Sequence, residues 1–426
     1  MIKKNVFFKL SRYNYRFLII WCISGLFYLY EFIHRIIPSV IVSELIDELS
    51  IDAYTLGNFS SYYYFSYAFM QIPAGYIIDK YNIHFVLPFS ALLIAINSYI
   101  FSVTNSLEII IITRILIGIG SAFSFISCLK LGISLFHENK FAFVVGITNL
   151  LGVCGAILSG RPLVYFIELF GWRQVMLIIS IIGLLFFIIL IIFLRPLYLI
   201  KIFNFKISHF YILKNIYFIF KNIKILKFSI YGGLIVSPIA SYSELWGISF
   251  LVDNYNISKS LAAQMMSFSF IGIGLGGPII GYLADFYKKK ILFMIIGNIG
   301  AIFFFIMIIN IISNNILILH LFHVFFGFFS SSMLLCFSIN VNIIKSDLKA
   351  VILGFTNMLI MIIAVLLQPI VGKIIDILTN TSLLFVICFF NILDNYQIAM
   401  IPLIICQILA LLIIIKIKKQ YIFVRK

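Results

Sequence analysis

Runs of roughly 20 apolar residues recur along this chain, broken by short polar connections; a helix of about 20 residues rises about 30 Å, the thickness of a bilayer's hydrocarbon core. The runs do not alternate apolar with polar at every second position, as strands of a membrane barrel would. The pattern predicts helices over 17–40, 54–78, 85–103, 108–133, 141–166 and 173–194, and again over 229–252, 261–285, 291–312, 317–343, 350–377 and 397–415. That is an all-α membrane protein of twelve transmembrane helices in two sets of six. The apolar stretch 383–393 is too short to span and is assigned to a connection.

The two sets are related. Gly75-Tyr76-Ile77-Ile78-Asp79 ends the second predicted helix, and Gly281-Tyr282-Leu283-Ala284-Asp285 ends the eighth, 206 residues later. Gly146-Ile147-Thr148-Asn149 reappears as Gly354-Phe355-Thr356-Asn357 after 208 residues, and Arg114-x-x-x-Gly118 aligns with His323-x-x-x-Gly327 after 209. Three matches at nearly one offset imply a duplicated unit. Six helices repeat six in the same orientation, so the repeats are parallel about an axis along the membrane normal. The expected division is residues 1–194, a basic linker over 195–228, and residues 229–426.

Composition and charge set the environment. The chain has 426 residues, 63% hydrophobic and 11% charged, against roughly half apolar and a quarter charged in soluble domains. The net charge of +16 sits in the connections. Lys3, Lys4, Lys9, Arg12 and Arg16 precede the first helix, the linker carries seven basic residues and no acid, and Lys416, Lys418, Lys419, Arg425 and Lys426 close the chain. The opposite connections hold Glu44, Asp47, Glu48, Asp52, Glu108, Glu168, Asp253 and Asp394. Basic residues favour the cytoplasmic side, which predicts a multi-pass protein of the inner (plasma) membrane with both termini in the cytoplasm. The basic residues form no patch on a soluble domain, so nucleic acid is not an expected partner. The six cysteines lie in apolar segments without metal-ligand spacing and read as small hydrophobes. No nucleophile–base pair, metal cluster or phosphate-binding loop is recognisable, so neither an enzyme nor a cofactor is expected.

These motifs resemble those of the major facilitator superfamily. Gly75-x-x-x-Asp79-Lys80 resembles its signature between helices 2 and 3, with Lys80, Asn82 and His84 where the family usually has Arg, Gly and Arg. Arg114-x-x-x-Gly118 resembles its helix 4 motif. Gly152-x-x-Gly155 with Arg161-Pro162 is similar to its glycine-rich antiporter-type motif without the central Gly-Pro. The tyrosine-rich second helix, Gly171-Trp172-Arg173, and Asn357 with Gln368-Pro369 are similar to a bacterial branch related to lysosomal dipeptide carriers, and also to organic-anion carriers. The resemblance implies a secondary active transporter working by alternating access on a small-molecule substrate. A receptor or scaffold retaining the same fold is the alternative. The resemblance also implies a gate built from Gly75, Asp79, Lys80, Arg114, Gly281 and Asp285, in which the carboxylates cap a neighbouring helix.

The candidate substrate and proton residues follow from depth in the membrane. Ionisable groups there are costly and usually face a wet cavity. Glu31, His34 and Arg35 lie well inside the first helix, with Glu31 and Arg35 one turn apart and able to pair. Glu244, with Trp246 nearby, is the buried carboxylate of the seventh helix, the repeat partner of the first. Tyr64, Tyr67 and Gln71 share a face of the second helix. Lys130 is placed to meet a substrate carboxylate or to snorkel to the cytoplasmic surface. Carboxylates and cations in one cavity suit an amino acid, a short peptide or a carboxylate, with protons as the coupling ion. Nothing in the sequence argues for or against an oligomer.

Overall fold

The computed structural model describes residues 3–49, 53–81, 83–135, 141–199, 217–310, 316–343, 349–380 and 395–423. The stretch 383–393 and linker residues 200–216 lie outside them. The first set comprises α1 (Lys3–Val40), α2 (Val42–Leu49), α3 (Ala53–Lys80), α4 (Ile83–Val103), α5 (Leu107–Leu135), α6 (Phe141–Leu158), α7 (Arg161–Phe170) and α8 (Trp172–Leu199). The second comprises α9 (Ile223–Pro238), a π-helical segment (Ile239–Trp246), α10 (Gly247–Tyr255), α11 (Lys259–Phe286), α12 (Lys290–Asn310), α13 (Ile316–Ser330), a 3₁₀ turn (Ser331–Leu334), α14 (Leu335–Asn340), α15 (Lys349–Val365), α16 (Leu367–Asn380) and α17 (Asn395–Phe423). Among the described residues, eleven helical stretches are long and apolar enough to cross a membrane. The 28-residue α3 is the twelfth crossing. Its apolar character is diluted by tyrosines and serines, most of which are buried inside the protein.

Several predicted helices are interrupted, each for a local reason. The predicted helix 141–166 breaks at Ser159–Gly160, and Pro162 sits in the first turn of α7, where its missing N–H goes unneeded. The seventh crossing widens into the π segment directly after Pro238, which supplies no N–H to the preceding turn. The eleventh breaks at Leu366, three residues before Pro369, and the tenth tightens at Ser331 within a run of serines. α2 was expected to be a connection. Its sequence alternates Leu45 and Ile46 with Glu44, Asp47 and Glu48, an amphipathic pattern hidden in a short acidic loop. Between α7 and α8, Gly171 adopts a φ of +80°, a left-handed conformation that glycine takes without strain.

The outer helices face lipid. Only 28% of the crossing stretch of α8 is buried, and 33% of that of α12 and of α17. Cys22 is exposed on α1, whereas Cys128 and Cys336 are buried as expected for small hydrophobes.

The two sets meet along α3 against α15 and α16, and along α6 against α11. These are repeat-related crossings, and glycine makes both close. A Cβ on Gly75 would lie 2.8 Å from the Ala350 carbonyl oxygen, and one on Gly281 2.8 Å from that of Ala142. Within each set, Gly118 lets α5 approach Tyr63 of α3, and its repeat partner Gly327 lets α13 approach Ser269 of α11. Small residues at such crossings are how helices pack where lipid removes the hydrophobic drive between them.

Candidate functional site

The centre of the molecule is built on one turn of α1. Glu31 and Arg35 are both buried, with Nη2 of Arg35 3.5 Å from Oε1 of Glu31. Tyr63 of α3 donates to the same carboxylate oxygen. The other Glu31 oxygen and Nε of Arg35 have no hydrogen-bond partner in the structure. The Arg35 guanidinium is wrapped by aromatic faces, 4.4 Å from the Phe32 ring centre, 5.1 Å from Tyr67 and 5.6 Å from Tyr64. Such cation–π contacts are stronger where water is excluded.

Two tyrosines one turn apart on α3 carry this network to the other set. Tyr64 donates to Oε2 of Glu244. Tyr67 accepts from Nδ2 of Asn357 at 3.0 Å. Glu244 belongs to the π segment, and π turns are frequent at functional sites because they re-aim side chains. Pro238 was the sequence signal for that feature.

Arg35 and Glu244 face one cavity, open at one end. Tyr67, Asn149, Ser330 and Asn357 add polar atoms to its wall. Nδ2 of Asn149 and Oγ of Ser330 are buried without a partner. Most of the remaining wall is apolar, with Phe125, Phe270, Ile273, Phe337 and Met361 prominent. Phe125 and Phe337 meet edge to face across the two sets at 5.5 Å. Tyr63, Asn149 and the serines are not among the candidates that depth in the membrane picks out. The repeated Gly-x-Thr-Asn was the available signal for both asparagines.

Other expected residues sit outside the cavity. His34 lies against the Tyr30 ring at 5.0 Å, its Nε2 3.4 Å from Oγ of Ser98. Trp246 donates to the Gln368 carbonyl at 2.9 Å, and Gln71 to that of Ala122 at 3.5 Å, so both brace helices. Lys130 neither lines the cavity nor snorkels. Its Nζ is 2.7 Å from Oδ1 of Asp79 and 2.7 Å from the Ile78 carbonyl, because a buried carboxylate on the next helix offers a better partner than water.

That pair joins Lys130 to Asp79, one of the residues expected to form a gate. Oδ2 of Asp79 accepts from the Val351 amide at 3.3 Å, in the first turn of α15, where free amides and the helix dipole favour an anion. Lys80 lies over the rings of Tyr76 and Tyr81 at 5.5 Å and 4.9 Å. Asp285, at the repeated position, pairs with Lys290 at 3.1 Å in its own set. Arg114 is buried and donates to the His34 carbonyl at 2.7 Å, beside the Tyr63 ring at 4.8 Å. The repeat turns this contact into Tyr242 and His323, whose Oη and Nε2 are 3.0 Å apart.

At the opposite end, α2 bridges the sets. Glu48 holds Trp172 and Arg173, at 3.0 Å and 2.6 Å, while both oxygens of Glu44 reach Lys259 of α11 at 3.0 Å.

The model of the Major Facilitator Superfamily matches residues 20–342. The chain belongs to this superfamily. Among curated relatives, it is 23% identical over 159 residues to the probable sulfoacetate transporter SauU of Cupriavidus necator, and 28% identical over 173 residues to the uncharacterized transporter YybO of Bacillus subtilis. These alignments span 37% of both this chain and SauU, and 39% of both this chain and YybO. Among solved structures, a bacterial homologue of the human lysosomal transporter Spinster, inward-facing and occupied, matches with a TM-score of 0.68 at 15% identity, over 94% of this chain and 96% of that one. A mutant of the nucleoside transporter NupG matches with a TM-score of 0.67 at 14% identity, over 93% of this chain and 99% of that one. Superfamily members are transporters, and the twelve-helix architecture expected from the repeat is the one these structures share.

Proposed function

We propose that this superfamily member is a secondary active transporter of a small polar or zwitterionic organic solute, such as an amino acid, a short peptide or a carboxylate. The halves 1–194 and 229–426 rock about the central cavity, joined by the basic linker 195–228. One observation carries this reading: Arg35 and Glu244, charged groups of opposite sign from opposite halves, face the same cavity. Buried charges at membrane depth belong to solute or ion pathways far more often than to packing. A relative described as a probable sulfoacetate transporter supports a small organic substrate.

Protons are the proposed coupling ion, carried by Glu31 or Glu244. Each accepts a tyrosine hydroxyl that remains a satisfactory partner when the acid is neutral. The chain is placed in the inner membrane with the Asp79 and Asp285 end, and both termini, in the cytoplasm, following the basic connections. The test is uptake into proteoliposomes with and without an imposed pH gradient. Gradient-driven uptake that is lost when Glu31→Gln and Glu244→Gln are combined is expected. Uptake that ignores the gradient and survives both changes removes proton coupling. Absence of uptake or exchange for every amino acid, peptide and carboxylate offered removes the carrier reading in favour of a receptor or scaffold.

A further inference from the structure

Resting on the carrier reading, we propose that the cavity is built for a zwitterionic α-amino acid with an apolar side chain, its carboxylate held by Arg35 and its ammonium by Glu244. Three observations lead there. First, the charge balance of the wall is one cation and one anion. With Lys130 bound to Asp79, Arg35 is, among the described residues, the basic residue on the cavity wall and Glu244 the acidic one, while Glu31 pairs with Arg35 without lining the wall. A dicarboxylate would leave its second charge without a cation, and a cationic solute would meet Arg35.

Second, one tyrosine touches both charges. The Tyr64 ring centre lies 5.6 Å from the guanidinium and its hydroxyl donates to Glu244. A single small zwitterion can therefore engage both groups from one cavity. Arg35 also keeps donor capacity, since it meets Glu31 through one contact at 3.5 Å and its Nε is unpartnered. Planar guanidinium donors match a carboxylate. Asn149, with a free buried donor, is placed on the same wall.

Third, the rest of the wall is apolar. Phe270, Ile273 and Met361 line it, together with Phe125 and Phe337, whose rings meet edge to face. A charged side chain would be stripped of water there without a partner, whereas a branched or aromatic one is stabilised by leaving water.

The test is a thermal-shift and counterflow series on the purified full chain. Leucine and phenylalanine are compared with 4-methylpentanoate and 3-phenylpropanoate, which lack the amine; with isoamylamine and phenethylamine, which lack the carboxylate; and with aspartate, lysine and dileucine. The proposal expects stabilisation and exchange by leucine or phenylalanine, at least tenfold weaker binding of every other compound, loss of leucine binding in both Arg35→Gln and Glu244→Gln, and gain of isoamylamine binding by neither. A comparable affinity for the deaminated acids, unchanged by Glu244→Gln, overturns the ammonium site while leaving the protein a carrier of carboxylates. Preference for dileucine overturns the single-residue assignment. Exchange of other solutes with no response to any amino acid overturns the proposal outright, and absence of all exchange falls on the carrier reading beneath it.

Discussion

The two crossings that join the halves at the Asp79 end are alike in shape and unlike in chemistry. On the α3–α15 side, Gly75 packs against Ala350 and Gly354 against Gln71. On the α6–α11 side, the repeat-related Gly281 packs against Ala142 and Gly146 against Gly277. The carboxylates differ. Asp79 binds Lys130 of its own half and the Val351 amide of the other, so it is a cross-half latch. Asp285 pairs with Lys290, the first residue of α12 five positions along and within its own half, and its second oxygen is unpartnered. Duplication preserved the backbone fit, while the charged latch is strong on one side. We infer that the α3–α15 crossing sets the energy of opening and the α6–α11 crossing follows.

The largest difference is expected for the lysines. Lys130→Met leaves Asp79 buried without its counter-charge, and removing one partner of a buried pair costs about 3–5 kcal/mol. Lys290→Met should cost well under half of that, as its pair is more exposed, with 24% and 12% of the two side chains accessible. Melting temperatures in detergent measure both, and equal losses would break the comparison. Next come the glycines, where shape alone acts. A Cβ at 146 would lie 2.5 Å from the Gly277 backbone, and one at 354 would overlap the Gln71 carbonyl. Gly146→Val and Gly354→Val should therefore each disfavour the closed state by about 1–3 kcal/mol. Spin-label distances across positions 143 and 282, and across 81 and 349, read the opening, and a large disparity between the variants would show that the backbone fit is not shared.

Removing charge while keeping shape is a finer probe. Asp79→Asn should weaken the α3–α15 latch by about 1–2 kcal/mol, the upper range for an anion at a partly buried helix N-terminus, and widen the 81–349 distance distribution. Asp285→Asn should change the 143–282 distribution less. The smallest effect is expected at the far end. Glu44→Gln removes a pair with Lys259 that is 31% exposed on both sides, worth up to about 1 kcal/mol and sensitive to salt.

Much of this was legible in the sequence because membrane helices announce themselves by length and apolarity, and because a duplicated motif fixes an offset. The twelve crossings, the central placement of Arg35 and Glu244, and the correspondence of Gly75 with Gly281 came from those two signals, whereas a gating role for these glycines is what the family resemblance implies. Other features depended on three-dimensional partners. Lys130 has no intrinsic mark that separates a substrate ligand from the partner of Asp79, since 51 positions of chain separate the two. His34 shares a turn with Glu31 and Arg35, yet helix rotation turns it toward Ser98. The π segment that aims Glu244 depends on how Pro238 is accommodated, and α2 is too short to be distinguished by composition from an acidic loop.

The most direct test of the central claim, that two halves exchange access about one cavity, measures both ends of the same protein. Spin labels at 81 and 349 report the Asp79 end, and a second pair at 44 and 259 reports the α2 end. The account predicts that conditions which lengthen one distance shorten the other, with the solute-free and solute-bound proteins differing in the balance. Two distances that stay fixed, or that lengthen together, would contradict it.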